Sequence, residues 1–204
     1  FGFVQLSGSF GIEKKTGTVT LNDAVTDQNG QITTPASTVT VEQLLIGGTG
    51  LRGFVGSQGG TDEAIGLELS EVEFGLALLT ETLPQNAPAD QVPRSWTSAQ
   101  ATIDRAAFVG VEGLTLEVNT LSLEVNREAA DGTAVDYALT ASTSDAADAR
   151  VTPLAITTGP ETSLALTMDG AEGQLLRATG NLDVDVFGFV QLSGSFGIEK
   201  KTGT

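Results

Sequence analysis

The stretch FGFVQLSGSFGIEKKTGT occupies residues 1–18, and the same letters recur at residues 187–204. An identity of this length does not arise by chance, so the chain contains an internal repeat with a period of 186 residues. We interpret residues 1–186 as one unit of a tandem array and residues 187–204 as the start of the next, identical unit. Arrays of near-identical units usually supply length or many copies of one binding surface.

The repeated stretch lies within a longer segment in which apolar and polar residues alternate. From residue 182 to residue 199, the even positions hold Leu, Val, Ile, Phe or Gly, and most odd positions are polar. This period is typical of an extended strand with one buried face, so we expect the even face to point inward. Because that face continues through the junction between the two copies, we expect units to pack against each other through Val190, Leu192, Phe196 and Ile198. Phe187 and Phe189 interrupt the polar face, so we expect them to take part in packing between units as well.

Two other segments alternate in the same way but change phase once. In the first, apolar residues occupy odd positions up to Leu69 and even positions from Val72. In the second, they occupy even positions up to Val118 and odd positions from Leu121. A change of phase would move the apolar side chains to the other face unless the strand contains a bulge or a corner. We therefore predict bulges near residues 70–71 and 119–120, with inward-pointing side chains that include Leu114, Leu116, Leu121 and Leu123.

Turn residues divide the rest of the chain into short segments. Asn29-Gly30, Asp131-Gly132 and the Lys-Thr-Gly of residues 15–17 predict tight turns. Three prolines between residues 80 and 96 predict an exposed loop, and residues 142–150 predict one or two helical turns.

Many candidate strands and no strong helix predict an all-β fold. We expect an irregular β-solenoid, similar to a β-helix, whose units form one continuous rod. At roughly 25 residues per coil, such a rod would gain on the order of 35 Å per repeat. The alternative is a string of antiparallel β-sandwich domains, but separate domains are usually joined by polar linkers, whereas here an apolar face crosses the junction.

The composition excludes several classes of function. The chain has 204 residues, 40% of them hydrophobic, a formal net charge of −16, no Cys and no His. Disulfides, thiolate chemistry and a Ser-His-Asp triad are therefore excluded, and no glycine-rich phosphate-binding motif is present. The negative charge disfavours nucleic acid and anionic lipid, and it favours divalent cations. We expect no enzyme activity, no nucleic-acid partner and no membrane insertion of this segment.

Two pairs of aspartates are candidate calcium ligands. Asp131 and Asp136 flank a glycine turn, and Asp183 and Asp185 share the polar face of one predicted strand. Carboxylate oxygens are the ligands that Ca²⁺ prefers. A plain turn is the simpler explanation of the first pair, and a solvated strand face is the simpler explanation of the second. No cofactor other than Ca²⁺ is indicated.

Three segments of the unit together resemble a known repeat. They read LLRATGNLDVDVFGFVQLSGSFGIEKK, AAFVGVEGLTLEVNTLSLEVNREAADGTAVDYA and IGLELSEVEFGLALL, and they are similar to a repeat of about this length in giant bacterial surface or secreted adhesin-like proteins. The resemblance covers most of the unit. It implies an extracellular, extended and non-catalytic role at the cell surface.

We therefore expect a structural repeat of a long extracellular filament or adhesin stalk, whose partners are the neighbouring copies in the same chain. Lateral association between fibres is left open. The alternative function is a calcium-dependent adhesion module that uses the four aspartates named above. A third, weaker alternative is a polysaccharide-active enzyme built on a β-helix, which would need a cleft that joins two carboxylates and an arginine.

Overall fold

The computed structural model describes residues 3–138 and 154–203. The helical turns expected at residues 142–150 lie outside this part of the chain. Within it the protein is all-β, as predicted, and its only helical element is the short 3-10 turn Gly170–Glu172. No helix in the described ranges is long and apolar enough to cross a membrane.

Eleven strands are formed in the described residues, seven of them long. Their bounds are β1 Val4–Thr20, β2 Val25–Thr26, β3 Ile32–Thr34, β4 Thr38–Ser57, β5 Ile65–Glu81, β6 Ser95–Val109, β7 Leu114–Arg127, β8 Ala155–Gly159, β9 Thr162–Ala165, β10 Leu175–Val186 and β11 Val190–Lys201. The long strands form one antiparallel sheet in the order β1-β4-β5-β6-β7-β10-β11. The short strands form the hairpins β2–β3 and β8–β9. Neighbouring strands in the main sheet follow chain order, and β1 and β11 lie at its two edges.

The alternating segment from residue 182 to residue 199 is a hairpin rather than one extended strand. Strand β10 ends at Val186, the chain reverses through Phe187 and Gly188, both with positive φ, and β11 begins at Val190. Val186 and Val190 lie opposite each other, so the even side chains stay on one face of the sheet after the turn. The sequence pattern identified this shared face correctly but gave no sign of the reversal.

The two predicted bulges are confirmed. Glu71 in β5 has φ 50° and Thr120 in β7 has φ 52°, in the left-handed region that non-glycine residues rarely adopt. Pairing registers place Leu67 and Phe74 on the same face of β5, although one number is odd and the other even. Each bulge therefore restores the phase and keeps the apolar residues on one side.

Two of the three predicted tight turns and the predicted loop are confirmed. Asp27 O accepts from Gly30 N between β2 and β3, Ala129 O accepts from Gly132 N, and the proline-containing segment lies between β5 and β6. The turn predicted at residues 15–17 is wrong, because β1 continues through it and pairs in register with residues 41–43 of β4. The glycine at position 17 makes room for a neighbour instead, since a Cβ there would lie 2.4 Å from Gln43 Nε2.

The hydrophobic core lies on one face of the sheet, which we call the core face. Strands β8 and β9 pack there, together with segments near residues 135 and 166. The buried cluster comprises Val19, Leu21, Val41, Leu45, Ala77, Leu79, Trp96, Ala129, Val135, Tyr137, Ile156, Leu166, Met168 and Leu175.

A short polar network fixes the segment around residue 135 onto the core face. Tyr137 Oη donates to Ser98 Oγ (2.9 Å), which in turn donates to Asn126 Oδ1 (2.9 Å). Asn126 Nδ2 donates to Val135 O (2.8 Å), and Trp96 Nε1 donates to Thr133 O (2.9 Å). Burial raises the pKa of Tyr137, so the phenol stays protonated and keeps its donor.

Three glycines in one cross-strand row let β8 approach the sheet closely. Gly11, Gly47 and Gly75 lie opposite one another on β1, β4 and β5. A Cβ on Gly11 would lie 2.3 Å from Thr157 O, and one on Gly47 would lie 2.5 Å from the same oxygen. Only a residue without a side chain fits at these positions, so the row holds β8 against the backbone of the sheet.

The opposite face, which we call the open face, is apolar along most of the sheet. Pairing registers place one residue of each strand in a continuous row, as in Val4, Val55, Leu67, Phe108, Leu116, Val184 and Leu192. Parallel rows contain Leu6, Leu69, Val118 and Leu182, then Phe10, Phe74, Leu123 and Ile198, and then Ile12, Ile46, Leu76, Val125 and Leu176.

The open face is not covered by any described element. Outside the strands of the sheet itself, the described elements that pack on it are β8 and β9, and these lie on the core face. Side chains such as Leu6, Leu116 and Leu192 are 65%, 48% and 59% exposed. The expectation that this face points inward is therefore wrong for a single chain, because the core forms on the other side.

The close approach of β8 to the glycine row can be tested by substitution, because the second copy of the repeated stretch provides a matched control. Gly11 and Gly197 are the same position of the repeat, but only Gly11 lies under β8, whereas the nearest atom to a Cβ on Gly197 is Thr179 Cγ2 at 3.8 Å. We expect Gly11→Ala to lower the free energy of unfolding by about 1–3 kcal/mol through overpacking. Gly197→Ala should leave it nearly unchanged, as measured by urea unfolding. Equal losses in the two variants would contradict this packing of β8.

Candidate functional site

The two edges of the sheet are formed by the same sequence. Residues 4–15 of β1 are identical to residues 190–201 of β11. Strand β1 has β4 as its neighbour in the sheet, and β11 has β10. One sequence is therefore paired on a different side in each copy, and this pair of edges is the candidate functional site.

In β1, the odd-numbered residues direct their backbone groups toward β4. Leu21 N donates to Ser37 O (2.9 Å), and Phe3 O accepts from Gly56 N (3.0 Å), at the two ends of the strand. The register shift between these ends adds the extra residue to β4, so the phase of β1 does not change. Because bonding direction alternates along an antiparallel strand, the even-numbered residues of β1 face the outer edge.

In β11, the even-numbered residues direct their backbone groups toward β10. Thr202 N donates to Gln174 O (3.1 Å) just beyond the end of the strand. The register between β10 and β11 is unbroken from Leu175 to Val186, so the same phase holds throughout. The odd-numbered residues of β11 therefore face its free edge.

These two bonding patterns are complementary. The repeat period of 186 residues is an even number, so equivalent residues of β1 and β11 are either both odd-numbered or both even-numbered. The even-numbered residues, whose backbone groups β1 leaves unpaired, are therefore the ones that β11 uses to bond to β10. The covered lengths also match. The outer edge of β1 is occupied from Thr20 onward, where Thr20 O accepts from Asp136 N (2.9 Å), whereas β10 and Gln174 cover the equivalents of residues 4–16. Over the equivalents of residues 4–16, a single strand can therefore bind β4 on one side and β10 on the other. Gly203, the equivalent of Gly17, departs from this pattern, because its N–H donates to Glu172 O (2.9 Å) whereas Gly17 pairs with Val41 of β4.

The side-chain contacts of the two copies differ in the same way as their backbone bonds. Phe196 packs over Gly180, whose Cβ position lies 3.1 Å from the ring, while its equivalent Phe10 is 51% exposed. Ser195 Oγ donates to Asn181 Oδ1 (2.7 Å) across the β10–β11 pair. On the other side, Lys14 pairs with Glu42 of β4 (3.4 Å). Each copy thus makes only one half of the contacts that the sequence can make.

An arginine cluster joins β11 to the body of the unit. Arg177 of β10 binds Glu199 (2.7 Å) and Glu124 (2.8 Å), and it also binds Glu172. The hydrogen bond from Arg177 lowers the pKa of Glu199, and the hydrogen bond to Glu199 raises the pKa of Arg177. The equivalent of Glu199 in the first copy is Glu13, which binds Lys15 (3.0 Å) as Glu199 binds Lys201 (3.4 Å), but which lies on the edge strand away from Arg177.

The four candidate calcium ligands make local hydrogen bonds. Asp131 accepts from Thr133 Oγ1 (2.7 Å) and pairs with Arg94, and Asp136 accepts from Ala138 N (3.0 Å) and Gly170 N (3.2 Å). Asp185 accepts from Gly188 N (2.7 Å) and Gln191 Nε2 (2.9 Å) in the β10–β11 turn. Asp183 lies between Glu117 and Ser193 in the sheet register.

The two aspartate pairs lie at opposite ends of the sheet. Asp185 adjoins the β10–β11 turn, whereas Asp136 contacts the far end of β1 near Thr20. Within residues 3–138 and 154–203 there is no group of three or more acidic side chains that could hold a metal ion. The calcium hypothesis thus stays a prediction from sequence.

Sequence reasoning identified the repeated stretch but missed Arg177 and its carboxylates. Their positions become opposite only when β7, β10 and β11 are in register, and no spacing along the chain reveals that register. The parity of the bonding pattern was missed for the same reason. The one available signal was the identity of residues 1–18 and 187–204.

Comparison with known proteins finds no matching family model, no matching curated protein and no matching solved structure. The function is therefore inferred from the geometry of the two edges.

The arginine cluster predicts a pH dependence with a matched control. Because the hydrogen bond from Arg177 depresses the folded-state pKa of Glu199, the contribution of this residue to stability is present at neutral pH and is lost as pH falls through that pKa. Glu199→Gln should therefore flatten the acid side of the stability profile, measured by thermal unfolding. Glu13→Gln removes the same residue from the other copy, away from Arg177, and should keep the wild-type profile. A profile flattened equally by both changes would contradict the assignment.

Proposed function

We propose that this chain is a structural repeat of a long extracellular filament or adhesin stalk, which supplies length and rigidity at the bacterial cell surface and is not catalytic. The observation that carries the proposal is the complementary pairing of β1 and β11. Two identical strands that bond on opposite sides are what a shared strand between successive units requires.

In the proposed array, β11 of one unit is β1 of the next. Each unit then contributes six long strands, and one antiparallel sheet continues through every junction. This is the continuous rod expected from the sequence, but it is built from an antiparallel meander instead of stacked coils. A string of separate sandwich domains fits less well, because a shared junction strand would make backbone bonds with both neighbours and would leave no linker.

Rigidity follows from the shared strand. Bending at a junction would break the ladder between residues 190–201 and β10, together with the Arg177–Glu199 contact. Six strands at about 4.8 Å give a length of about 29 Å per unit, somewhat shorter than a coil-based rod would give. In such an array free edges occur only at its two ends, which limits uncontrolled edge-to-edge pairing.

The extracellular location rests on the resemblance to giant bacterial surface proteins and on composition. The chain has no Cys, and its 26 acidic residues against 10 basic ones give a solvated, strongly anionic surface. Its ion pairs with arginine lie on the same face as the core, as at Arg105–Glu117 (2.7 Å), and stabilise the sheet between strands.

Arrays of two, three and four units test this function. We expect the long dimension, measured by small-angle X-ray scattering and electron microscopy, to grow by about 29 Å with each unit and the particles to be straight.

A proline in the junction strand provides the control. Residue 195 is odd, so its N–H faces the following unit and not β10. Ser195→Pro should keep the β10–β11 ladder but weaken pairing with the next unit, so we expect arrays that bend at each substituted junction. Wild-type arrays that already look like flexible beads would contradict the proposed function.

A further inference from the structure

We propose that the open face binds a second copy of this chain, so that two sheets pack face to face. This inference goes beyond the stalk function and does not depend on strand sharing, because each single unit already presents the whole face. The core packs on one side of the sheet, whereas the exposed apolar side chains lie on the other side, where no described element covers them.

The exposed apolar residues of the main sheet are concentrated on the open face. Of the large hydrophobic side chains in its strands that are exposed, Ile12 (74%) and Val4 (70%) are the most exposed, and both belong to this face. Leu116, in the interior strand β7, is still 48% exposed. Charged side chains lie in the open-face rows toward one end of the strands, and these are Lys14, Glu42, Arg127 and Lys200.

The size of the face is sufficient for a stable dimer. Seven strands at about 4.8 Å span about 29 Å, and about ten residues at about 3.3 Å span about 33 Å along the strands. The resulting area is roughly 950 Å², well above the few hundred Å² of apolar patch that monomers expose. Two such faces in contact would bury roughly 1,900 Å², which lies within the range of specific protein interfaces.

A second copy is the occupant that suits this face best. The face is the same on every molecule, so a two-fold axis makes it self-complementary without any further partner. When two sheets pack about 10 Å apart, the side chains of their inner faces interdigitate. The row with Leu6 and Leu182 also holds Gly53 and Gly194, and no neighbouring atom lies within 4 Å of a Cβ on Gly194. These glycines leave gaps that phenylalanines of an opposing sheet, such as Phe10 and Phe108, could fill.

The observations favour a protein sheet over a lipid surface. Trp and Tyr are the residues enriched where proteins meet lipid headgroups. The single Trp96 and the single Tyr137 are both buried on the core face, at 1% and 4% exposure. The net charge of −16 further opposes contact with anionic membranes.

Sedimentation velocity and native mass spectrometry on the 204-residue chain test the proposal. We expect a dimer at micromolar concentration. Leu116→Lys places a charge at the centre of the open face and should raise the dimer dissociation constant about 100-fold or more. Thr115→Lys is the matched control, because residue 115 points to the other face, opposite Asp185, and should leave the dimer intact.

A variant of the edge strand separates face-to-face contact from pairing between strand edges. Ser195→Pro blocks the free edge of β11 without touching the open face, so it should leave the dimer intact. A dimer lost in Ser195→Pro but kept in Leu116→Lys would show edge pairing and overturn the proposal. Circular dichroism and urea unfolding confirm that each variant is folded, and Leu192→Lys on the edge strand replaces Leu116→Lys if that variant does not fold.

A monomeric wild-type chain at all concentrations would also overturn the proposal. So would binding of the wild-type chain to neutral phosphatidylcholine vesicles that Leu116→Lys abolishes, because lipid would then be the occupant. If the arrays prove flexible but the single unit dimerises through Leu116, strand sharing fails while the face-to-face contact stands.

Discussion

Each residue of an antiparallel strand offers its backbone N–H and C=O to one neighbour only, and consecutive residues offer them to opposite neighbours. The repeated stretch uses this constraint in both of its copies. As β1 it bonds to β4 through odd-numbered residues, and as β11 it bonds to β10 through even-numbered residues. The seven-stranded sheet therefore has compatible bonding patterns at its two edges, and the proposed continuity of the array rests on that compatibility.

The two faces of the sheet carry different kinds of contact. The core face carries the hydrophobic cluster around Trp96 and Leu79, the glycine row beneath β8, and the ion pairs of Arg105 and Arg177. These contacts hold one unit together without help from other molecules. The open face carries mostly apolar rows that no described element covers, and the proposed second copy would bury them. In our proposals, the edges provide length and the open face provides lateral assembly.

Much of this fold could be predicted from the sequence, and the reasons for the failures are physical. Period-two alternation revealed the strands and even the bulges at Glu71 and Thr120, because a change of phase is visible in one segment alone. The reversal at Phe187 was missed because a turn that preserves facing leaves the alternation intact. The orientation of the apolar face was wrong because the covering layer, β8 and β9, comes from a distant part of the chain. Asp131, Asp136, Asp183 and Asp185 were candidates by residue type, whereas the Arg177 cluster depends on register.

Residue-resolved hydrogen exchange by NMR tests the shared strand most directly. In the 204-residue chain, the amides of Leu192, Phe196 and Ile198 should be protected by β10, while those of Ser193, Ser195 and Gly197 should exchange as free-edge amides. When the chain is extended by one complete further unit, we predict that the second group becomes protected as well and that the first group stays protected. If Ser193, Ser195 and Gly197 still exchange freely in the longer chain, the units do not share a strand and the continuous sheet is ruled out.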